Sequence, residues 1–179
     1  MKDGLFKTIL YTIIGIGIMT TVMTLTSITT PFEGVYIQLA YCYLALFAGV
    51  AGAIPAAIVG FTGHVLFDLI YTDHLWLSWA LSSGALGFVF GFAIRRKSLR
   101  QGVFSQHDMV RFNVVQAVVN IAIFGLIAPT LDVLFYQSST AVVFTQGWIA
   151  SIINLLTVAI FGTITLKLYA NYKLKQNKQ

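Results

Sequence analysis

Charge is what this chain has least of. Only 9% of its 179 residues are Asp, Glu, Lys or Arg, against 58% that are hydrophobic, whereas a soluble domain carries about 25% charged residues. That shortage excludes an ordinary soluble domain, and a length of one domain leaves no room for a separate soluble catalytic module. Cysteine is almost absent as well. Cys42 stands alone in an apolar run, so neither a disulfide nor a thiolate metal site is available, and it reads as a small buried hydrophobe. No phosphate-cradling Walker A loop, HExxH, GxSxG or paired acidic motif occurs. No repeat of roughly 20–50 residues and no low-complexity tract is visible either.

The charges that are present follow a pattern. All 11 Lys and Arg residues fall outside the long apolar runs: Lys2 and Lys7; Arg95, Arg96, Lys97, Arg100 and Arg111; Lys167, Lys173, Lys175 and Lys178. The alternate gaps hold no base and carry Glu33, Asp73 and Asp132. Short loops on the cytoplasmic side of a membrane retain Lys and Arg, whereas translocated ones lose them. The pattern predicts a polytopic protein of the cell membrane with both termini in the cytoplasm. The net charge of +5 flanks segments of membrane length, so anionic lipid headgroups are its expected neighbours and nucleic acid is not. The first apolar run is too long for a signal-peptide core and lacks a small-x-small cleavage site, so it reads as a span.

A hydrocarbon core of ~30 Å takes about 20 helical residues, which divides the chain into an all-α bundle of six spans in a single domain, residues 1–179. They are expected at about 8–27, 35–50, 53–71, 75–94, 109–128 and 144–168. Pro31 breaks the first outer loop, Gly49-Val50-Ala51-Gly52 forms a base-free inner turn, and Pro55 lies near a first turn where its missing N–H costs little. Ser105-Gln106-His107-Asp108 reads as a capping box, the fifth helix is expected to stop before Pro129, and Tyr169 and Tyr172 anchor the last at the inner interface. Gly52, Ala56, Gly60 and Gly63 line one stripe of the third span, and Gly84, Gly87 and Gly91 one of the fourth. Such stripes allow the close backbone approach on which helix association in lipid depends.

Ionisable residues at membrane depth are costly and mark functional sites by default. His64 and Asp68, four apart, share a face of the third helix in its outer half. Trp76, Trp79 and Ser83 share a face of the fourth, with Trp76 the interface anchor and Trp79 one turn deeper. Gln116 and Asn120 on the fifth helix, and Gln146 and Asn154 on the sixth, add amides at middle and outer depth. The loop Thr29 to Gly34, with Glu33, Tyr36 and Gln38, is placed to cover a cavity among them. The expected substrate-binding set is His64, Asp68, Trp79, Ser83, Asn120, Gln146, Asn154, Glu33, Tyr36 and Gln38. No Lys or Arg is expected in the outer half, so a carboxylate or phosphate ligand would lack its usual partner. A flat, neutral or weakly cationic heterocycle fits a pocket of stacking rings and aimed amides.

The run Gly60-Phe61-Thr62-Gly63-His64-Val65-Leu66-Phe67-Asp68-Leu69-Ile70, followed by Trp76, Trp79 and Ser82-Ser83-Gly84-Ala85-Leu86-Gly87-Phe88, resembles the substrate-binding S components of energy-coupling factor (ECF) vitamin importers. It is most similar to a riboflavin-transporter-like subfamily, chiefly over residues 44–94. The resemblance implies an S-component fold, capture of a vitamin from outside, and docking onto a transmembrane T component driven by two cytoplasmic ATPases. Family members commonly present alanines four apart on the first helix to the T component. Here Gly17 and Thr21 have that spacing without the alanines, and with Gly15 they form the expected docking set. Hydroxymethylpyrimidine and pyridoxine suit a pocket free of basic residues, riboflavin and thiamine remain alternatives, and anionic vitamins fit less well. No cofactor or metal is expected. Two other classes stay open from the residues alone: an intramembrane enzyme using His64 and Asp68, and a stand-alone carrier, for which the inverted repeats are missing.

Overall fold

The computed structural model describes residues 2–72 and 74–179, with side chains from Gly4 onward. Asp73, one of the acids of the base-free gaps, and the side chain of Lys2 lie outside the described residues. Helix α1 spans Lys2–Thr26, and the Thr8, Thr12, Thr20, Thr21, Thr24 and Thr26 hydroxyls along it each donate to the carbonyl four residues back. That habit hides polar atoms where water is absent. Strands β1 (Ile28–Thr29) and β2 (Tyr36–Ile37) pair antiparallel, with Ile28 opposite Ile37 and Thr29 opposite Tyr36. The sequence reading began the second helix near residue 35. The strand pair delays it, so that α2 spans Ala40–Ala51.

Helix α3 follows at Ala53–Phe67 and continues as a π-helical turn, Asp68–Thr72. Gly52 joins α2 to α3 at φ 101, in the left-handed region closed to most side chains, and a Cβ there would lie 2.9 Å from Arg96 Nη1. Helix α4 spans Leu77–Ala93, short α5 spans Arg96–Arg100, and α6 spans Gln106–Asn120. The expected capping box is present: Ser105 Oγ accepts the Asp108 N–H at 3.2 Å, and Asp108 Oδ2 accepts the Ser105 N–H at 3.0 Å.

Beyond α6 the chain runs through a π-helical stretch, Ile121–Ile127, into α7, Ala128–Tyr136. Sequence reasoning stopped this helix at Pro129; instead Pro129 lies in the first turn of α7. The widened π turn just before it spaces the backbone away from the proline ring, so the helix passes a residue that ordinarily ends one. Helix α8 (Thr140–Thr157), a third π turn (Val158–Gly162) and α9 (Thr163–Gln176) form the last continuous helical stretch.

Four helical stretches are long and apolar enough to cross a membrane: Gly4–Thr26, Ala53–Thr72, Gln106–Tyr136 and Thr140–Gln176. Ala40–Ala51 and Leu77–Ala93 are shorter and also apolar. Large side chains such as Ile13, Ile54, Phe92, Val118 and Leu168 are exposed, each more than 60%, while Ser78, Ser83, Gln116, Asn120, Asp132 and Ser151 are almost wholly buried. That inversion suits lipid as the surrounding solvent.

Helices α3 and α4 meet along the two glycine stripes. A Cβ on Gly60 would strike the Ser83 carbonyl, on Gly87 the Ala56 carbonyl, on Gly91 the Ala53 backbone, and on Gly84 it would press Phe61 at 3.0 Å. Helix α1 crosses α3 in the same way: a Cβ on Gly63 would lie 2.5 Å from Met19 Cγ, and Thr20 Oγ1 donates to the Gly63 carbonyl at 3.2 Å. This seam fixes the end of α3 and the start of α4 side by side, where the polar groups gather.

Candidate ligand-binding site

The seam opens, at the end away from the basic loops, into a cavity of about 770 Å³. Helix α3 with its π turn supplies His64, Phe67, Asp68, Tyr71 and Thr72, α4 supplies Trp79, α7 supplies Asp132, and α8 supplies Gln146, Ala150 and Asn154. The strand pair, the loop that joins its strands and the residue after it close over the top with Glu33, Gly34, Tyr36 and Gln38. Trp76 and Ser139 line the rim.

Two hydrogen-bonded groups organise the wall. In the first, Ser83 Oγ lies 2.6 Å from His64 Nδ1 and 2.8 Å from the Tyr41 hydroxyl. His64 Nε2 then faces Asp68 Oδ1 at 3.5 Å, and Asp68 Oδ2 accepts the Trp76 N–H at 3.0 Å. In the second, Asp132 accepts the Ser78 hydroxyl on one oxygen and the Trp79 indole N–H, at 2.9 Å, on the other. The Leu77 N–H donates to the Tyr136 hydroxyl at 2.8 Å. Acceptors from α3 and α7 thus meet the unpaired donors at the N-terminus of α4, where the helix dipole favours negative charge.

Aromatic rings fill the space between these groups. Phe67 and Tyr71 stack with centroids 5.0 Å apart, and Tyr36 meets each edge-on at 6.0 Å. Trp79 lies at a tilt, 5.7 Å from Phe124. Burial pushes the Tyr36 phenol above its ordinary value, and Tyr71, Asp68 and Glu33 beside it push it further in the same direction. No Lys or Arg lines the cavity among the described residues.

Of the ten residues expected from the sequence, His64, Asp68, Trp79, Gln146, Asn154, Glu33, Tyr36 and Gln38 line this one cavity. Ser83 and Asn120 do not. Ser83 stands behind the wall, holding His64 and Tyr41. Asn120 is buried off the cavity, its amide donating to Gln116 Oε1 at 3.0 Å and to the Gln116 carbonyl at 2.9 Å. Gln146 Nε2 donates to the Glu33 carbonyl at 2.8 Å, tying α8 to the covering loop. Sequence reasoning missed Tyr41, Phe67, Tyr71 and above all Asp132, which it left in an outer gap. The signal available for Asp132 was its distance from a helix end once Pro129 is allowed inside the helix.

The expected docking residues divide. Gly17 has nothing within 4 Å of its Cβ position among the described residues, and Thr21 is exposed, so their face of α1 is open. Gly15 faces inward, where a Cβ would lie 2.6 Å from Phe47. No group of three or more His, Cys, Asp or Glu suited to hold a metal occurs among the described residues.

Residues 5–171 match the family described as "ECF-type riboflavin transporter, S component". Relatives called "UPF0397 protein" extend over nearly the whole chain. One from Lactococcus lactis subsp. cremoris (strain NZ9000) is 41% identical over 175 residues, covering 98% of this chain and 96% of its own. One from Enterococcus faecalis (strain ATCC 700802 / V583) is 40% identical over 169 residues, covering 92% of each. One from Staphylococcus aureus (strain JH9) is 35% identical over 175 residues, covering 98% and 95%. The chain belongs to the ECF S-component family of membrane proteins. Such a component is the substrate-binding subunit of a vitamin transporter, not an enzyme, and works with a T component and ATPases. The family thereby sets aside an enzyme built on His64 and Asp68.

Proposed function

We propose that this chain captures a small, flat, neutral or weakly cationic heterocyclic vitamin or vitamin precursor from outside the cell, hydroxymethylpyrimidine or pyridoxine before others. The cavity carries this reading. Its volume of about 770 Å³ falls within the roughly 300–1,000 Å³ of small-molecule pockets. Its wall offers stacking rings and single aimed polar groups, and no Lys or Arg lines it among the described residues. An anionic vitamin would be desolvated there without a counter-charge. Riboflavin is the second reading, because the matched family bears its name; thiamine is a third candidate.

In this reading the four long and two shorter apolar helices all cross the membrane of a bacterial cell, with both termini in the cytoplasm. The short ones reach only part-way, about 18 and 26 Å at 1.5 Å per residue for 12 and 17 residues, and rely on neighbours and loops to complete the crossing. The basic residues of α5 and α9 lie in the cytoplasm and the cavity opens outside. A T component docks on the open face of α1 around Gly17 and Thr21, and two cytoplasmic ATPases supply the energy.

Calorimetry of the purified chain against hydroxymethylpyrimidine, pyridoxine, riboflavin and thiamine tests the capture role. One of them is expected to bind tightly, be recovered chemically unchanged, and not accumulate in vesicles holding this chain alone. In the full complex, Gly17→Leu should abolish ATP-driven uptake and leave that binding intact, because a bulky side chain holds the partner backbone away. Conversion of the ligand, or uphill uptake by the isolated chain, contradicts the proposal.

A further inference from the structure

The two buried carboxylates of the cavity wall are used differently. Asp132, 1% exposed, has a protein donor on each oxygen, the Ser78 hydroxyl and the Trp79 indole N–H. It is spent on holding the Trp79 ring. Asp68, 3% exposed, is half used. Its Oδ2 takes the Trp76 N–H, while Oδ1 has only His64 Nε2 at 3.5 Å, longer than a good charge-assisted hydrogen bond. A second acceptor in the lining is wholly unused: Gln38 is 7% exposed, and its Oε1 has no hydrogen-bond partner among the described residues.

Two aimed donors of the same wall are engaged already. Trp79 Nε1 is on Asp132 and Gln146 Nε2 is on the Glu33 carbonyl. The Asn154 amide and the Tyr36 and Tyr71 hydroxyls, which can both donate and accept, make no hydrogen bond among the described residues and can adapt to a ligand. A desolvated carboxylate oxygen without a donor is unfavourable, so Asp68 Oδ1, which can only accept, calls for an N–H from the ligand. The charge balance agrees. Glu33, Asp68 and Asp132 line the cavity with no Lys or Arg among the described residues. The rings of Phe67, Tyr71 and Tyr36, from the end of α3, its π turn and the strand β2, line the cavity together with Asp68, an arrangement that attracts a cation through the ring faces.

We propose that the ligand is a donor-rich organic monocation, an amino- or aminomethyl-substituted heterocycle, whose protonated nitrogen seats on Asp68 Oδ1 against the Tyr36–Phe67–Tyr71 rings and whose further polar group meets the Gln38 amide. This deepens the capture role proposed above and rests on it. Asp68 and Gln38 set specificity by charge and donor count, while Asp132 fixes the stacking ring and does not select charge.

Three probes with one ring separate charge from shape: pyridoxamine carries an ammonium where pyridoxine has a hydroxyl and 4-pyridoxic acid a carboxylate. In calorimetry on the purified full chain, pyridoxamine should bind roughly 10-fold or more tighter than pyridoxine, with the acid weakest. Asp68→Asn should erase that preference, so that pyridoxamine and pyridoxine bind alike. Gln38→Leu, which removes no charge, should weaken pyridoxamine by roughly 5-fold or more and serves if Asp68→Asn does not fold. Pyridoxine binding as tightly as pyridoxamine, or an intact preference in Asp68→Asn, overturns the proposal. If no probe binds, the metabolite released from the purified protein by denaturation decides. A cation at neutral pH upholds the proposal, and a neutral or anionic metabolite overturns it while leaving the capture role standing. With no metabolite released and no vitamin bound, it is the capture role that fails.

Discussion

The two ends of this helical bundle are built in opposite ways. At the basic end long side chains reach back to backbone carbonyls. Arg96 Nε and Arg100 Nη2 both donate to the Val50 carbonyl, at 2.9 and 2.7 Å, at the end of α2 where carbonyls lack helical partners. Lys167 Nζ donates to the Phe104 carbonyl at 3.1 Å, and Ser105 and Asp108 cap each other at the start of α6. Packing there is close: a Cβ on Gly49 would lie 2.6 Å from Leu99. At the other end the same helices part around a cavity whose wall keeps Asp68 half paired and Gln38 Oε1 unpaired. Asp108 Oδ1 at the basic end also lacks a hydrogen-bond partner, so what separates the two ends is space: close packing marks the end that holds the bundle together, and acceptors beside an open cavity mark the end that waits for a ligand.

The sharpest way to break that comparison is to disturb each end separately. The largest effect is expected at Gly91, whose Cβ position is already occupied by the Ala53 backbone. Gly91→Leu cannot be absorbed by a side-chain rotation, since the obstacle is main chain. Overpacking of this kind costs roughly 1–3 kcal/mol or more, and here it separates α3 from α4 along their seam. Size-exclusion chromatography in detergent should show loss of the monodisperse species. A monodisperse Gly91→Leu protein that has lost only ligand binding would mean that the seam serves the site and not the fold.

Trp79 comes next, with an effect confined to the cavity. Trp79→Ala removes a ring from the wall and one donor from Asp132. Loss of a buried hydrogen bond costs about 1–3 kcal/mol, or roughly 5- to 150-fold in affinity. Calorimetry should find that loss while chromatography finds the protein still monodisperse. Trp79→Phe keeps a ring and drops the N–H, so an intermediate loss divides the effect between stacking and the tie to Asp132. Unchanged affinity in Trp79→Ala together with His64→Ala removes this wall from the binding site.

The apolar runs and the alternation of basic and base-free gaps were plain in the sequence, as were the pairing of His64 with Asp68, the two glycine stripes and the capping box at Ser105. Each depends on spacing within one helix or on composition, which a linear reading captures. What stayed hidden depends on contacts far apart in the chain. Asp132 meets Ser78 and Trp79 across 54 and 53 positions, and by hydropathy alone an Asp between two apolar runs is a loop residue. Pro129 reads as a helix stop unless the π turn before it is known. Ser83 was placed on the correct face of α4 but one layer too far forward, because Gly60 brings the α3 backbone against its carbonyl and leaves His64 in front of it.

The smallest effect is expected where the closed end holds a redundancy. Arg96 and Arg100 are both exposed, and they share one acceptor, the Val50 carbonyl. Burial and then the neighbouring Arg100 charge lower the Arg96 guanidinium from its ordinary value, so the pair repels as it bonds. Arg96→Ala removes one donor from a carbonyl that keeps another, and also removes that repulsion. Exposed charged contacts contribute about 0–1 kcal/mol, so thermal melting of the single variant should stay close to the starting protein. Arg96→Ala with Arg100→Ala leaves Val50 O without either donor and should destabilise by more than the two single changes added together. Ligand affinity should be unchanged in all three, because no polar contact joins this cluster to the cavity wall among the described residues. Weakened ligand binding in Arg96→Ala alone would join the two ends through the α2–α3 turn at Gly52, and the division between a holding end and a binding end would not stand.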